Sequence, residues 1–161
     1  MNGPTRVFAM LALLVPAPGW SAAAPVPKTA GDSGPMPAGS TWTGELTQRG
    51  GGPTGFACTF KVTKRDGEKF EAELYEKTDG FELTYLVSGT LTPIDPKNRE
   101  KGFKIEFKSH GARDVKGTAE ILGVPYTGEV KGKKIKGTWK VPEDSPFNNL
   151  EGDFEFEPKK D

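Results

Sequence analysis

The sequence is poor in the residues that metal centres, disulfide scaffolds and most hydrolytic sites require. Its 161 residues include one cysteine, Cys58, and one histidine, His110. A single cysteine cannot form a disulfide within the chain, and this pair is not an adequate ligand set for a structural zinc site. We therefore expect no internal disulfide, no metal and no cofactor.

Neither sign of charge is in excess, because 22 Lys and Arg residues balance 22 Asp and Glu residues. Proteins that bind nucleic acid contact its phosphates through a basic surface, and anionic membranes attract basic segments in the same way. A balanced chain has no such electrostatic attraction. We expect neither nucleic acid nor an anionic membrane as a partner.

The chain has no apolar run of the roughly 20 residues that a transmembrane helix needs. An unbroken apolar run covers only residues 7–15, after Arg6 and before Pro16, and small residues follow at 21–23. This order is typical of a secretory signal peptide. We predict a signal peptide at 1–23 and an exported product, periplasmic or extracellular, that does not span a membrane. A retained N-terminal anchor is the alternative.

A second segment without a hydrophobic period follows at residues 24–39, where Pro, Gly and Ala dominate. Such a composition cannot bury enough apolar surface to order itself, so it predicts a disordered tether. Residues 40–161 then have the length of one domain. Without residues 1–23 the chain loses one of its 22 basic and none of its 22 acidic residues, which leaves a net charge of −1.

Alternation of apolar and polar side chains is the main pattern present, and it runs from Trp42 to Phe156. Side chains of a strand point alternately to opposite faces, so this pattern predicts antiparallel sheets with one dry face. The candidate strands are 40–48, 56–65, 69–77, 81–92, 102–109, 124–131, 133–141 and 150–157. Residues 110–123 could form a ninth strand, a loop or a short helix.

Five glycines share the inward phase of these strands: Gly44, Gly89, Gly128, Gly137 and Gly152. Glycine within a strand is tolerated where the strand coils sharply or where another backbone comes close. This favours a closed or nearly closed, eight-stranded antiparallel up-and-down β-barrel, with a β-sandwich as the runner-up. The outward charges and apolar interior are the reverse of an outer-membrane barrel.

A family resemblance rests on three features of the sequence. They are Gly39-Ser40-Thr41-Trp42 at the first strand, the series of short strands, and Gly137-Thr138-Trp139 near the end. Together they resemble the calycin group, the lipocalin-like and avidin-like up-and-down barrels. The resemblance covers the pattern of residues 39–157 and implies a barrel that binds a small molecule inside. No individual binding residue is carried over from it.

The interior of an eight-stranded barrel is either filled by side chains or holds one small ligand. Charged residues enter the inward phase only at strand ends, as Lys64, Glu76 and Lys133, so an enclosed ligand should be apolar. An open mouth is expected near residues 49–55, 93–101 and 110–123. The interior aromatic residues proposed to contact the ligand are Trp42, Phe60, Tyr85, Phe107, Tyr126 and Trp139.

Catalytic residues are not indicated. His110, Arg113 and Asp114 could serve acid–base chemistry, but nothing marks a nucleophile beside them, and an ordinary solvated loop explains them better. Cys58 is in phase with the inward Phe60, and we predict that it is a small buried hydrophobic residue. We predict a non-enzymatic barrel that binds a small apolar ligand or a protein partner. The alternative is a structural or protein-interaction domain with a filled core.

Overall fold

The computed structural model describes residues 34–49, 55–118 and 120–160, which form one closed antiparallel barrel of eight strands. Each strand pairs with the next, and β1 pairs with β8. The strands are β1 Thr41–Thr47, β2 Gly55–Asp66, β3 Lys69–Lys77, β4 Glu82–Pro93, β5 Phe103–Lys116, β6 Pro125–Lys131, β7 Lys134–Lys140 and β8 Glu151–Pro158. A short 3₁₀ helix, Arg99–Lys101, precedes β5. The predicted signal peptide at 1–23 lies outside the described residues.

The prediction of an all-β up-and-down barrel is confirmed, and seven of the eight strands end within one or two residues of the expected positions. The fifth strand differs, because it continues to Lys116 instead of ending near residue 109. Its pairing with β4 is irregular at His110 and again near Asp114, which has a positive φ of 56°. The extra residues at these two bulges shift the alternation of apolar and polar side chains, so the sequence pattern does not show that β5 continues beyond residue 109. Residues 110–116 therefore extend β5 and form no separate element.

The closure of the barrel depends on glycines that face large rings. Inward rings lie opposite glycines on the neighbouring strand in five register pairs of the described residues: Phe156–Gly44, Phe70–Gly89, Phe107–Gly89, Phe154–Gly137 and Trp139–Gly152. At Gly44, a Cβ atom would overlap the backbone carbonyl of Glu155 on β8. The glycines thus allow the sharp coiling that the sequence suggested.

The outer face of β7 and β8 carries complementary charges. Lys134 Nζ lies 3.0 Å from Glu155 Oε1 and 2.9 Å from Glu157 Oε1, and Lys136 Nζ lies 2.7 Å from Glu155 Oε2. These side chains are exposed, so the pairs contribute little to stability on their own. Basic residues of β7 thus face acidic residues of β8.

The two ends of the barrel differ. Connections after β1, β3, β5 and β7 meet at one end, which we call the mouth. Connections after β2, β4 and β6 meet at the opposite end, which we call the closed end. The expectation that residues 93–101 border the mouth is wrong, because successive connections of an up-and-down barrel alternate between the ends. The connection between β7 and β8, residues 141–150, borders the mouth instead.

The interior of the closed half is filled by aromatic rings. Phe60 is fully buried, and its ring centroid lies 5.2 Å from that of Phe107, 5.9 Å from that of Phe156 and 6.0 Å from that of Phe70. Contacts of this kind stabilise beyond the area that the rings bury. Half of the barrel therefore has a solid core.

Met36 extends this core at the closed end, although it belongs to the segment 24–39 that was expected to be a tether. Its side chain is 1% exposed and joins the main hydrophobic cluster. Gly39 N donates a hydrogen bond of 2.8 Å to Val62 O, which holds the segment against β2. Residues 34–39 thus pack on the barrel, and the remainder of the expected tether lies outside the described residues.

Substitution of Met36 by alanine should lower the free energy of unfolding by about 2–5 kcal/mol, because it removes a buried side chain and leaves a cavity. Ile94→Ala is the matched control at the same end, since Ile94 is 42% exposed. That change should alter stability by less than about 0.5 kcal/mol. Urea denaturation followed by tryptophan fluorescence measures both. Equal effects of the two changes would show that Met36 does not belong to the core.

Within the described ranges, no helix is both long and apolar enough to span a bilayer.

Candidate functional site

The mouth half of the barrel contains a cavity of about 360 Å³ that opens to solvent. Its wall combines inward side chains of the strands, such as Leu83 and Tyr126, with side chains of the mouth connections, such as Ile121 and Leu150. Most of these groups are aliphatic or aromatic. The barrel is therefore solid at one end and hollow at the other, an arrangement between the filled and hollow interiors considered from the sequence.

Three of the six aromatic residues proposed as ligand contacts lie in the cavity wall: Tyr85, Tyr126 and Trp139. The other three, Trp42, Phe60 and Phe107, do not line this cavity and are buried elsewhere in the core. Trp42 stands at the start of β1, and β1 runs from the closed end to the mouth. Trp42 therefore lies at the closed end, whereas Phe107 lies directly behind the cavity wall, with its ring centroid 4.5 Å from that of Tyr126. The role of all six in binding stays a prediction.

Other wall residues were not proposed from the sequence as ligand contacts. Leu46, Phe56 and Leu83 have the inward phase, and their places at the mouth ends of β1, β2 and β4 could have marked them. Ile121 and Phe147 come from connections. No sequence period marks a connection residue as part of a wall, because its position depends on how the loop crosses the mouth.

Glu76 is the acidic residue of the cavity wall. It faces inward near the mouth end of β3, is 7% exposed, and stands between Cys58 on β2 and Leu83 on β4. Burial raises the pKa of its carboxyl group to about 8. Among the described residues, no basic side chain forms an ion pair with it. The sequence showed Glu76 as an inward residue at a strand end, but not that this strand end borders a cavity.

The other titratable groups near Glu76 stay neutral at physiological pH. Burial raises the pKa of Tyr85 to about 12 and raises the pKa of Tyr126 well above its ordinary value. Burial also raises the pKa of the Cys58 thiol. Cys58 is buried, as predicted, and its Sγ donates to Phe56 O at 3.3 Å. Glu76 is thus the group of this cluster that can change charge between pH 5 and pH 9.

The mouth is partly covered by the connection between β5 and β6. Ile121 N donates to the Tyr85 hydroxyl oxygen at 3.3 Å, and Val124 N donates to Ser109 Oγ at 3.2 Å. Leu122 and Phe147 at the mouth are 43% and 42% exposed. Two backbone hydrogen bonds with Ser109, from Gly123 N and to Val124 O, also hold this segment, which borders exposed apolar side chains.

The His110, Arg113 and Asp114 cluster lies away from the cavity. His110 is exposed, Arg113 pairs with Glu73 at 2.8 Å on the outer face, and Arg113 also contacts Asp114 at 3.2 Å. None of the three lines the cavity. The described part of the chain also contains no cluster of three His, Cys, Asp or Glu side chains that could hold a metal ion.

The fold and the site together define a closed eight-stranded β-barrel with an apolar cavity at one end and a buried carboxyl group in its wall. Comparisons of the chain with protein-family models, curated proteins and solved structures found no match. The resemblance to calycins therefore rests on the barrel architecture and on the sequence pattern.

Proposed function

We propose that this protein is an exported, non-enzymatic, calycin-like barrel that binds a small and largely apolar ligand in its mouth cavity. The observation that carries the proposal is the cavity of about 360 Å³ in a barrel whose other half is closely packed. Protein interiors normally pack as densely as organic crystals, so an open space lined by the inward side chains of a barrel is a departure from ordinary core packing.

The size of the cavity suits a molecule of two to three rings. A ligand site usually has a volume of about 300–1,000 Å³, and an apolar cavity of about 150 Å³ holds one benzene. An empty apolar cavity destabilises a protein in proportion to its volume. A ligand that fills the space would restore the missing contacts and stabilise the folded state.

The export part of the proposal depends on the sequence pattern of residues 1–23 alone. An exported binding protein encounters ligands outside the cytoplasm. Such a role is consistent with a stable barrel that has Cys58, its one cysteine, buried.

A titration with the fluorescent probe N-phenylnaphthylamine tests the proposed site. We expect saturable binding with enhanced emission, and we expect Ile121→Trp to weaken it at least tenfold, because the indole would occupy space in the cavity. Leu122→Trp is the matched control, since the neighbouring Leu122 is 43% exposed and does not line the cavity. It should change the affinity less than twofold.

Absence of saturable binding to the unaltered protein would remove this proposal and favour the structural or protein-interaction alternative. Equal losses in the Ile121 and Leu122 variants would place the probe outside the cavity. Circular dichroism of each variant verifies that the barrel remains folded.

A further inference from the structure

We propose that the ligand carries a positively charged amine on its apolar body and that the Glu76 carboxylate is the counter-ion of this amine. The inference rests on the proposed function, because it names the chemical class of molecule that the mouth cavity selects.

The first observation is the position of Glu76. Its side chain is 7% exposed, points from β3 into the interior of the barrel and lines the cavity. Burial of an ionised group among apolar side chains lowers the stability of the folded protein unless an opposite charge pairs with it. Within the described ranges, no Lys or Arg forms an ion pair with it. A cation supplied by the ligand would be its partner.

The second observation is the composition of the remaining wall. Rings of Phe56, Phe81, Tyr85, Tyr126 and Trp139 line the same cavity. The faces of aromatic rings attract cations, and the attraction grows when water is excluded. A carboxylate together with several aromatic rings is a combination that recognises an ammonium group and also accommodates an apolar body.

The charge of the wall disfavours an anionic ligand. No Lys, Arg or His of the described residues lines the cavity. Lys134 and Lys136 lie on the outer face, where they pair with Glu155 and Glu157. A carboxylate or sulfate inside the cavity would meet Glu76 without a compensating cation, and such a charge would remain poorly solvated.

Binding of a cation should release a proton from Glu76. Burial raises the pKa of this carboxyl group to about 8, so at lower pH it is mostly protonated in the free protein. A neighbouring positive charge favours the ionised form. The groups that face Glu76 from the adjacent elements, Cys58 on β2, Tyr85 on β4 and Tyr126 on β6, have raised pKa values and stay protonated. Affinity for an amine should therefore rise with pH, by roughly tenfold per unit below the pKa.

Three matched probes test the inference by calorimetric titration: naphthylethylamine, which is a cation, naphthylethanol, which is neutral, and naphthylacetate, which is an anion. The unaltered protein should bind the amine at least tenfold more tightly than the alcohol at pH 8, and the anion most weakly. Between pH 6 and pH 8 the affinity for the amine should rise by more than tenfold, while that for the alcohol stays constant.

Glu76→Gln, which keeps the size of the side chain and removes its charge, should abolish the preference for the amine and its pH dependence. Glu71→Gln is the matched control, because Glu71 lies on the same strand with its side chain exposed and paired with Lys64 on the outer face. It makes the same chemical change, from a carboxyl group to an amide, outside the cavity and should leave all three affinities unchanged.

The outcomes separate this inference from the proposed function. If the alcohol and N-phenylnaphthylamine bind in the cavity but the amine shows no preference, the amine inference is overturned and the apolar site stands. A preference for the anion, or an amine preference that survives Glu76→Gln, overturns the inference in the same way. If none of the probes binds, both proposals fail. The preference is measured on the unaltered protein, so the test does not depend on how well a variant folds.

Discussion

Replacement of Glu76 by glutamine should make the protein much more stable at alkaline pH, by on the order of 5 kcal/mol at pH 9. Burial raises the pKa of Glu76 from 4.5 to about 8, and one pKa unit corresponds to about 1.4 kcal/mol. The unaltered protein must bury a carboxylate at this pH, whereas the variant buries a neutral amide of the same shape. This is the largest electrostatic effect that we expect from a single substitution.

The sign of the pH dependence follows from which state holds the proton. Between pH 4.5 and pH 8 the folded protein keeps the Glu76 proton and the unfolded chain does not, so stability falls as pH rises. Below about pH 4.5 both states are protonated and the effect is constant. The contribution of Glu76 to stability is thus complete below pH 4.5 and lost by the time pH has risen through about 8.

Urea denaturation at pH 5, 7 and 9 measures this dependence. The unaltered protein and Glu71→Gln should both lose stability steeply from pH 5 to pH 9, and Glu76→Gln should not. Parallel stability curves for the unaltered protein and Glu76→Gln would contradict a buried, unpaired carboxyl group.

Gly44→Ala should destabilise the barrel by about 3 kcal/mol or more, because the added methyl group has no space at the seam between β1 and β8. Its Cβ would overlap the carbonyl of Glu155 and the Cα of Phe156. Relief would require the two strands to separate, and the seam closes the barrel through the pairing of Gly44 with Phe156. The loss should be visible in thermal and urea denaturation.

Gly55→Ala provides the matched control for this prediction. Gly55 begins β2, its added Cβ would meet nothing within 4 Å, and its φ is not positive. The change should leave stability unaltered or raise it slightly, since alanine restricts the unfolded chain. If Gly44→Ala and Gly55→Ala behave alike, the close approach at the seam does not govern closure.

A destabilising ionisable group in the wall of a cavity indicates a functional site. Perturbed ionisable groups cluster at functional sites, where they bind or react with a partner of complementary charge. Glu76 lies in the hollow half of the barrel, and the closed half around Phe60 holds tightly packed rings. The destabilising group and the missing packing therefore occur in the same place. A cationic apolar ligand would compensate for both.

Much of the fold could be predicted from the sequence because the side-chain period of a strand is a local property. The alternation in residues 103–108 identified the inward face of β5, and the phase of Gly44 and Gly152 indicated close backbone approach. The extension of β5 to Lys116 could not be seen. Bulges at His110 and near Asp114 interrupt the period without ending the strand.

The candidate site could be predicted only in part. Tyr85, Tyr126 and Trp139 were selected as inward aromatic residues and do line the cavity, but Trp42 and Phe107 satisfied the same criterion and lie in the solid core. The phase of a residue within its strand predicts which face of the sheet its side chain occupies. It does not state whether neighbouring side chains from other strands fill the space in front of it.

The amino-acid sequence by itself determined the strands, the dry face and the balance of charge on the wet face, since each depends on neighbours two residues apart. Only the tertiary structure decided that Met36 covers one end, that rings fill that half, and that Glu76 borders an open space at the other. These features depend on the register and coiling of eight strands, which bring together side chains far apart in the chain. Volume left unfilled is a property of that assembly and has no signature in any single segment.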